Sequence, residues 1–525
     1  MDKLPPSIFN DVIGPVMRGP SSSHTAASVR IGKLLHQFYS GRIKKAVIEF
    51  HPQGSLAATY SSQGSDIGLV GGLLGMDTAD PRLTEALKIA PEAGLAVEFR
   101  ITDYPAEHPN TYKVIVFDDE GREDRFTFVS TGGGMIELQE INGAVTSIKG
   151  DFFETLFFFE GEVFDQSEVN THAFDAPLDA ADEVLTSRAD EYWLIVIKSS
   201  KPFSEEDLAA ITINNNKPSR VVSLEPVLPV QSRKEIAVPF LSATEITDND
   251  LYRHKSLADL AISYESARSG LDEAAVLEMA RHLVRVMRGA VEEGLAGTDY
   301  EDRILGAQAA QLNNYRGTLV GGKLNRRVIT YITAIMETKS SMGVIVAAPT
   351  AGSCAGLPGT LLAVADELSL TEDEIARGLL AAGLIGVFIV SHSTFAAEEC
   401  GCQAECGSGS GMAAAALVQL AGGDSRQALS AASLAMQNTI GLACDPVANR
   451  VEVPCLGKNI LAGMNAIASA DMALAGFDQV IPLDQTITAQ DQVGRLMPAA
   501  ICCTGKAGLS VTAASEALTR KLAEK

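Results

Sequence analysis

The sequence predicts an α+β multidomain protein, with an N-terminal α/β sandwich-like domain followed by an all-α C-terminal domain. Three observations predict it. Short runs rich in β-branched and aromatic residues alternate within the first 150 residues. From about residue 246 the apolar residues recur instead at three- and four-residue steps. A chain of 525 residues is also too long for one simple core. The pattern changes set domain limits of 1–150, 151–245 and 246–525.

The elements follow in order. After the loop 19–25, Ile31, Leu34, Leu35 and Phe38 recur at helical spacing. Residues 46–51, 95–102, 113–118 and 125–130 alternate as strands of a sheet with one helix-covered face. In 151–245, residues 152–159 and 192–197 read as strands around an acid-rich stretch, 175–191. Residues 221–230 close with Pro226 and Pro229, as a linker does, so this region is a linker or a small appended α/β element. Beyond it Val276, Ala280, Leu283, Met287 and Val291 form one apolar stripe. Thr371-Glu372-Asp373-Glu374 is a capping box ahead of the helix 375–390. Gly-rich breaks at 351–356, 401–411 and 422–423 separate the helices, whose ends converge on loops carrying Cys, Ser and Gly.

Composition narrows the function classes. Lys and Arg number 42 against 66 Asp and Glu, a net charge of −24, which argues against nucleic acid or an anionic membrane as partner. Segments 343–365 and 376–391 are apolar enough to resemble membrane spans. The first carries Pro349, Cys354 and Pro358 and the second is short, so both read as buried helices. The N-terminus begins no apolar run, and all eight cysteines lie at or beyond Cys354. A reducing cytoplasm is expected, where clustered thiols serve as metal ligands or catalysts rather than disulfides.

Three cysteines stand out. Cys402, Cys444 and Cys455 are each flanked by Gly or Pro within short loops, as Gly401-Cys402-Gln403, Cys444-Asp445-Pro446 and Val453-Pro454-Cys455. Thiolates in such loops suit an iron–sulfur cluster that leaves one ligand position open. A zinc site built from Cys400, Cys402, Cys406 and Cys444, or simple buried thiols, remain alternatives on spacing alone. Gly19-Pro20-Ser21-Ser22-Ser23-His24-Thr25 precedes a helix, and its hydroxyls and free N–H groups suit a carboxylate. The polar stretch Gln63-Gly64-Ser65-Asp66 interrupts apolar segments, and Ser130-Thr131-Gly132-Gly133-Gly134 follows a strand. Lys339-Ser340-Ser341 and Pro349-Thr350-Ala351-Gly352-Ser353 bracket an apolar run, as residues lining a pocket do. Lys339 is a candidate base if desolvated, and His392 ends an apolar helix ten residues before Cys402.

With these motifs in this order, the chain resembles the iron–sulfur-dependent L-serine dehydratases (L-serine ammonia-lyases) in their single-chain form. The carriers are the 19–25 loop, Ala348 through Cys354, Gly401-Cys402-Gln403 with 412–416, and Cys444 through Cys455. The resemblance implies a β-type domain, a helical α-type catalytic domain, and a 4Fe-4S cluster held by Cys402, Cys444 and Cys455 with one iron open. It implies dehydration and deamination of L-serine to pyruvate and ammonia, in amino-acid catabolism feeding gluconeogenesis. Ser21, Ser22, Ser23, His24, Thr25, Gln63, Ser65, Asp66, Ser340, Ser341, Thr350 and Gly352 are then expected around the substrate, with Lys339, His392 and His24 as candidate bases. The expected partners are the amino acid and a second copy in a homodimer. Where members of the family read Gly-His-x-Thr-Asp, this chain has Gln63-Gly64-Ser65-Asp66, so a family histidine is replaced by a group that does not titrate. His392-Ser393-Thr394 stands where Asn-Ala-Ser is expected, and the family's linker is shorter than 160–245. Pyridoxal-phosphate chemistry on Lys339 and a non-enzymatic iron–sulfur redox sensor are the rival readings.

Overall fold

A computed structural model of the chain describes residues 4–161, 181–189, 192–210, 212, 216–252 and 255–524. After a two-residue strand, β1 (Val16–Met17), come β2 (Ile43–Phe50), β3 (Ala96–Ile101), β4 (Thr111–Asp118), β5 (Glu123–Gly132), β6 (Met135–Ile141) and β7 (Ala144–Ile148). These six form one sheet in the order β3-β2-β4-β5-β6-β7, antiparallel except for the β2–β3 pair. Strands β6 and β7, which the sequence reading does not foresee, carry Ile136, Leu138, Ile141, Ala144 and Ile148 into the core between short polar turns.

Helices Ala27–Phe38 and Ser65–Leu73 cover this sheet. Ile31, Leu34, Leu35 and Phe38 face the sheet core, as their spacing predicts. The two helices touch backbone to backbone. A methyl group on Gly72 would stand 2.2 Å from the Val29 carbonyl oxygen, and one on Gly32 would stand 2.4 Å from that of Leu69. That contact has a functional consequence, because it presses the 63–66 turn against the serine-rich loop at 21–25. The Thr25 hydroxyl donates to the Gln63 carbonyl across the junction at 2.8 Å.

Residues 151–245 hold a second antiparallel sheet. Its strands β8 (Phe153–Glu160), β9 (Ala181–Arg188), β10 (Tyr192–Ser199) and β11 (Arg220–Leu224) lie in the order β11-β8-β10-β9. One face, with Phe157, Phe159, Trp193, Ile195 and Ile197, packs beneath Phe203 and Leu208. The other joins the first core through Leu156, Phe158, Leu194 and Val196. Of the acid-rich stretch 175–191, residues 175–180, 190 and 191 lie outside the described residues.

The rest of the chain is helical apart from β12 (Ile345–Val346), which pairs with β1. At its centre runs Glu372–His392, begun by the Thr371–Glu374 capping box. This helix is long and apolar enough to cross a membrane, yet 78% of its most apolar window is buried inside the protein. The stripe Val276, Ala280, Leu283, Met287 and Val291 lies on Glu273–Ala296 and faces the same core. The N-terminal segment also belongs here. Ile8, Phe9, Val12, Ile13 and Met17 are buried among the helices. Gly386 and Gly383 make room for them, since a methyl on either would lie 2.0 Å from Val12 Cγ1 or 2.5 Å from Ile8 Cγ2. Ser7 Oγ and the Ile8 N–H both donate to Glu265, at 2.7 Å each. Burial raises that carboxyl to about 7.

Candidate active site

A cavity lined by eight of the predicted residues lies where the first sheet domain meets the helical domain. It is narrow, with room for little more than a water molecule. Ser21, Ser22, Ser23, Gln63, Gly132 and Gly133 line one side, while Thr350, Gly352, Glu405, Cys444 and Cys455 line the other. Each half is incomplete alone. Three hydrogen bonds tie them together: Ser23 Oγ donates to Glu398 Oε1 at 2.9 Å, the Ala351 N–H donates to Ser22 Oγ at 3.3 Å, and Gln63 Nε2 donates to the Asn449 carbonyl at 3.3 Å.

The serine loop winds through one wide turn, Ser22–Ala26, into its helix. Ser21 and Ser23 hydroxyls lie 3.0 and 3.1 Å from His24 Nδ1, and His24 Nε2 is 2.8 Å from Thr59 Oγ1. His24 is wholly buried behind the serines, and burial pushes its pKa down to about 4, against the opposing pull of Glu398. It is therefore neutral near pH 7, with both ring nitrogens engaged, and it positions serines rather than meeting the cavity. Ser22 accepts from Ala351 and keeps its own proton free to donate.

The cysteines converge from three elements. Cys402 precedes a turn at Gln403–Gly407, Cys444 lies in the loop before Val447–Asn449, and Cys455 opens the helix Cys455–Leu474. Cys402 and Cys444 share a buried cluster with Cys406 and Cys503. Hydrogen bonds couple Cys402 to Cys406 and Cys444 to Cys503, and together with burial they push Cys406 and Cys444 well above the ordinary thiol range. Burial raises Cys455 too, with Cys402 adding to the effect. Such thiols stay protonated until a cation replaces the protons. Lys458 lies beside them, and Cys402 and Cys444 both favour its charged form; it donates to Asp445 Oδ1 at 2.9 Å. Among the described residues, no three His, Cys, Asp or Glu side chains surround one metal-ion position, the arrangement a zinc ion needs. Cys444, Cys455 and Cys503 line the cavity and Cys402 is buried beside Cys444 outside its lining; thiols gathered in this way are the donor type of a polynuclear iron–sulfur centre, and a nearby cation offsets its charge. The residues present fit such a group.

Asn459 fixes the cysteine loops. Its Oδ1 accepts from the Ala355 and Gly356 N–H groups at 3.1 and 2.8 Å, and its Nδ2 donates to the Gly352 and Cys455 carbonyls, each at 2.8 Å. One side chain thereby holds the 350–356 loop against the start of the Cys455 helix.

The other expected residues are placed differently. Lys339 is fully buried just behind the cavity wall and donates to the carbonyl of Val451. Its charge acts on Glu405, Glu452 and Cys455 without reaching the lining. His392 is not brought to the site; it is exposed at its helix end, with Nδ1 2.9 Å from the Phe388 carbonyl. Ser65 binds the buried Tyr112 hydroxyl at 3.1 Å. Asp66, which burial raises to about 6, faces a separate hollow with Tyr60 and Phe99. Ser341 bonds back to the Glu337 carbonyl within its own helix, and Ser340, though buried, is not in the lining. None of the three candidate bases presents a free acceptor to the cavity.

The groups that do were missed. Glu405 lines the cavity partly buried, accepts from Thr350 Oγ1 at 2.6 Å, and is raised to about 7 by burial. Glu398 lines the same wall, and Cys503 adds another thiol. The signal for Glu405 is visible in Cys402-Gln403-Ala404-Glu405-Cys406, an acid inside a stretch otherwise apolar enough to be buried.

Comparison with known proteins adds to this geometry. The family model "Serine dehydratase alpha chain" matches residues 245–510, and "Serine dehydratase beta chain" matches residues 11–141. The chain is 36% identical over 285 residues to the probable L-serine dehydratase alpha chain of Bacillus subtilis, covering 54% of this chain and 95% of that one. It is 43% identical over 145 residues to the probable beta chain of the same organism, covering 28% and 64%. L-serine dehydratase 1 of Escherichia coli is 26% identical over 513 residues, 94% of this chain and 96% of its own.

Proposed function

The chain belongs to the serine dehydratase family, with the alpha- and beta-type regions on one polypeptide, and from that we propose that it converts L-serine to pyruvate and ammonia. Cys402, Cys444 and Cys455 would hold a 4Fe-4S cluster with one iron lacking a protein ligand. When bound, such a cluster supplies a Lewis acid for the departing hydroxyl. The observation that carries this reading is the convergence of the serine loop, the carboxylates of Glu398 and Glu405, and Cys444 and Cys455 on one cavity, with Cys402 in the buried cluster beside Cys444.

The chain's own residues do the rest. Ser22, with a proton to donate, receives the substrate carboxylate beside Ser21, while the Ser23 hydroxyl donates to Glu398. Glu398 opposes the substrate ammonium. Glu405 takes the α-proton: it is a carboxylate whose burial brings its pKa near 7, where a base is both available and strong enough to act. His24 and Thr59 hold the serines in place. Loss of water then leaves an enamine that tautomerises and hydrolyses, releasing ammonia.

Gly352 tests the placement of Glu405. A methyl there would stand 2.8 and 3.1 Å from the two carboxylate oxygens. Gly352→Ala is expected to push the carboxylate aside and lower kcat by about 10- to 100-fold, with the visible absorbance retained. An unchanged kcat would remove Glu405 from the reaction.

The function itself is tested by purifying the protein anaerobically and assaying pyruvate from L-serine, L-threonine and related β-hydroxy amino acids. Iron-dependent visible absorbance with pyruvate formed from serine is expected. Pyruvate formation without iron, or trapping of an internal aldimine by borohydride, would overturn the cluster reading.

A further inference from the structure

The inner cavity does not stand alone. An outer chamber with about 1200 Å³ of empty space, part of it open to solvent, shares Gly132, Gly133 and Phe395 with the inner one. Exposed Leu4, Thr131 and Lys149 form its rim, and Asp11, Glu137 and Asp151 line it further in. Both signs of charge are therefore present along its wall, as suits a zwitterion.

The shared residues form a neck with two sides. On one side is the β5–β6 hairpin turn. Gly132 pairs with Met135, leaving Gly133 and Gly134 as the two turn residues, with φ of +60° and +87°. Positive φ at both positions is what a type I′ hairpin turn requires. On the other side is the short loop after Glu372–His392, where the Ala396 N–H donates to Thr394 Oγ1 at 3.0 Å and Phe395 is 4% exposed. The two sides lie close together, since a methyl added to Gly132 would come within 3.4 Å of Ala396 Cβ. At Gly133 the nearest atom to such a methyl would be the Pro349 carbonyl oxygen, at 3.9 Å, so a side chain there would enter open space.

We propose that the amino-acid substrate reaches the inner cavity through the outer chamber, and that Phe395 opposite the Gly132-Gly133 turn sets the size of side chain admitted. This rests on the serine-dehydrating reading above. A benzyl group at the neck of a chamber that must pass a hydroxymethyl side chain excludes larger ones by contact, while a glycine turn keeps the opposite wall free of side chains.

Gly133→Asn and Phe395→Ala test it from opposite directions. Asn tolerates the left-handed conformation, and Asn-Gly is a preferred type I′ pair, so the turn survives while a side chain enters the neck. For Gly133→Asn, kcat/KM for L-serine is expected to fall roughly tenfold, with a matching fall in the rate at which serine perturbs the visible absorbance of the holoenzyme. For Phe395→Ala, kcat/KM for threonine and 3-phenylserine relative to serine is expected to rise roughly tenfold. Both variants should keep the wild-type absorbance and melting temperature. Wild-type selectivity and kcat/KM in both variants would overturn the proposal. A wild-type protein that makes no pyruvate would instead overturn the functional reading beneath it.

Discussion

Cys444→Ala is expected to abolish both the visible iron–sulfur absorbance and pyruvate formation. Cys444 lines the cavity together with Cys455 and Cys503 and shares a buried cluster with Cys402. A centre held by three thiolates has no spare protein ligand, so loss of one removes the cluster rather than weakening it. Cys354→Ala is the informative control. Its thiol is buried and raised to about 11, but it lies outside the cavity lining. That variant should keep the absorbance and most of the activity. Iron content and the visible spectrum after anaerobic purification measure both. Wild-type absorbance in Cys444→Ala would show that the cluster is held by other thiols, Cys503 and Cys406 first among them.

The second large effect is expected at Glu405. Glu405→Gln keeps the shape and the Thr350 contact but cannot accept a proton, and kcat should fall by about 10²- to 10⁴-fold. The pH dependence gives the sign. Burial favours the protonated carboxyl and places its pKa at about 7, so the active carboxylate forms as pH rises through that value. In the wild type, kcat/KM should fall about tenfold for each unit below pH 7, and this acid limb should vanish in the variant. By linkage, the same raised pKa favours the folded state below the ordinary carboxylate range, and that contribution is lost as pH rises through about 7. A retained acid limb in Glu405→Gln would assign the proton transfer to another group.

Much of the architecture is legible in the sequence because local patterns dominate it. The stripe from Val276 to Val291 and the Thr371 capping box specify their helices through contacts within a few turns. Strand alternation identifies β2 to β5 in outline, whereas β6 breaks its alternation at Gln139–Glu140 and β7 buries Thr146 while exposing Val145, which masks their period. The site divides the same way. Its cysteines and serines are conspicuous because Gly and Pro surround them. The acid–base groups are not, since the carboxyl of Glu405 and the imidazole of His24 differ only in what buries them and which hydroxyls they meet. Thr350 is 55 residues from Glu405, and His24 meets Thr59 35 residues away as well as Ser21 and Ser23 of its own loop, so a local pattern encodes at most part of this. His392 shows the converse: a histidine at the end of an apolar helix looks well placed in one dimension and points to solvent in three.

The N-terminal segment gives the two halves an unusual connection. The segment from Ile8 to Met17 is buried in the helical core; after it the chain builds both sheets and returns with Val230 and Phe240 packed in that same core. The sheet module is thus hung from the helical body by two strings instead of one. Two anchors leave little freedom to drift or rotate away, so the serine loop meets the cysteine wall at a high effective concentration whatever the intrinsic affinity of the two surfaces. Separate polypeptides would have to reach that encounter through binding strength alone. Here the covalent path supplies it.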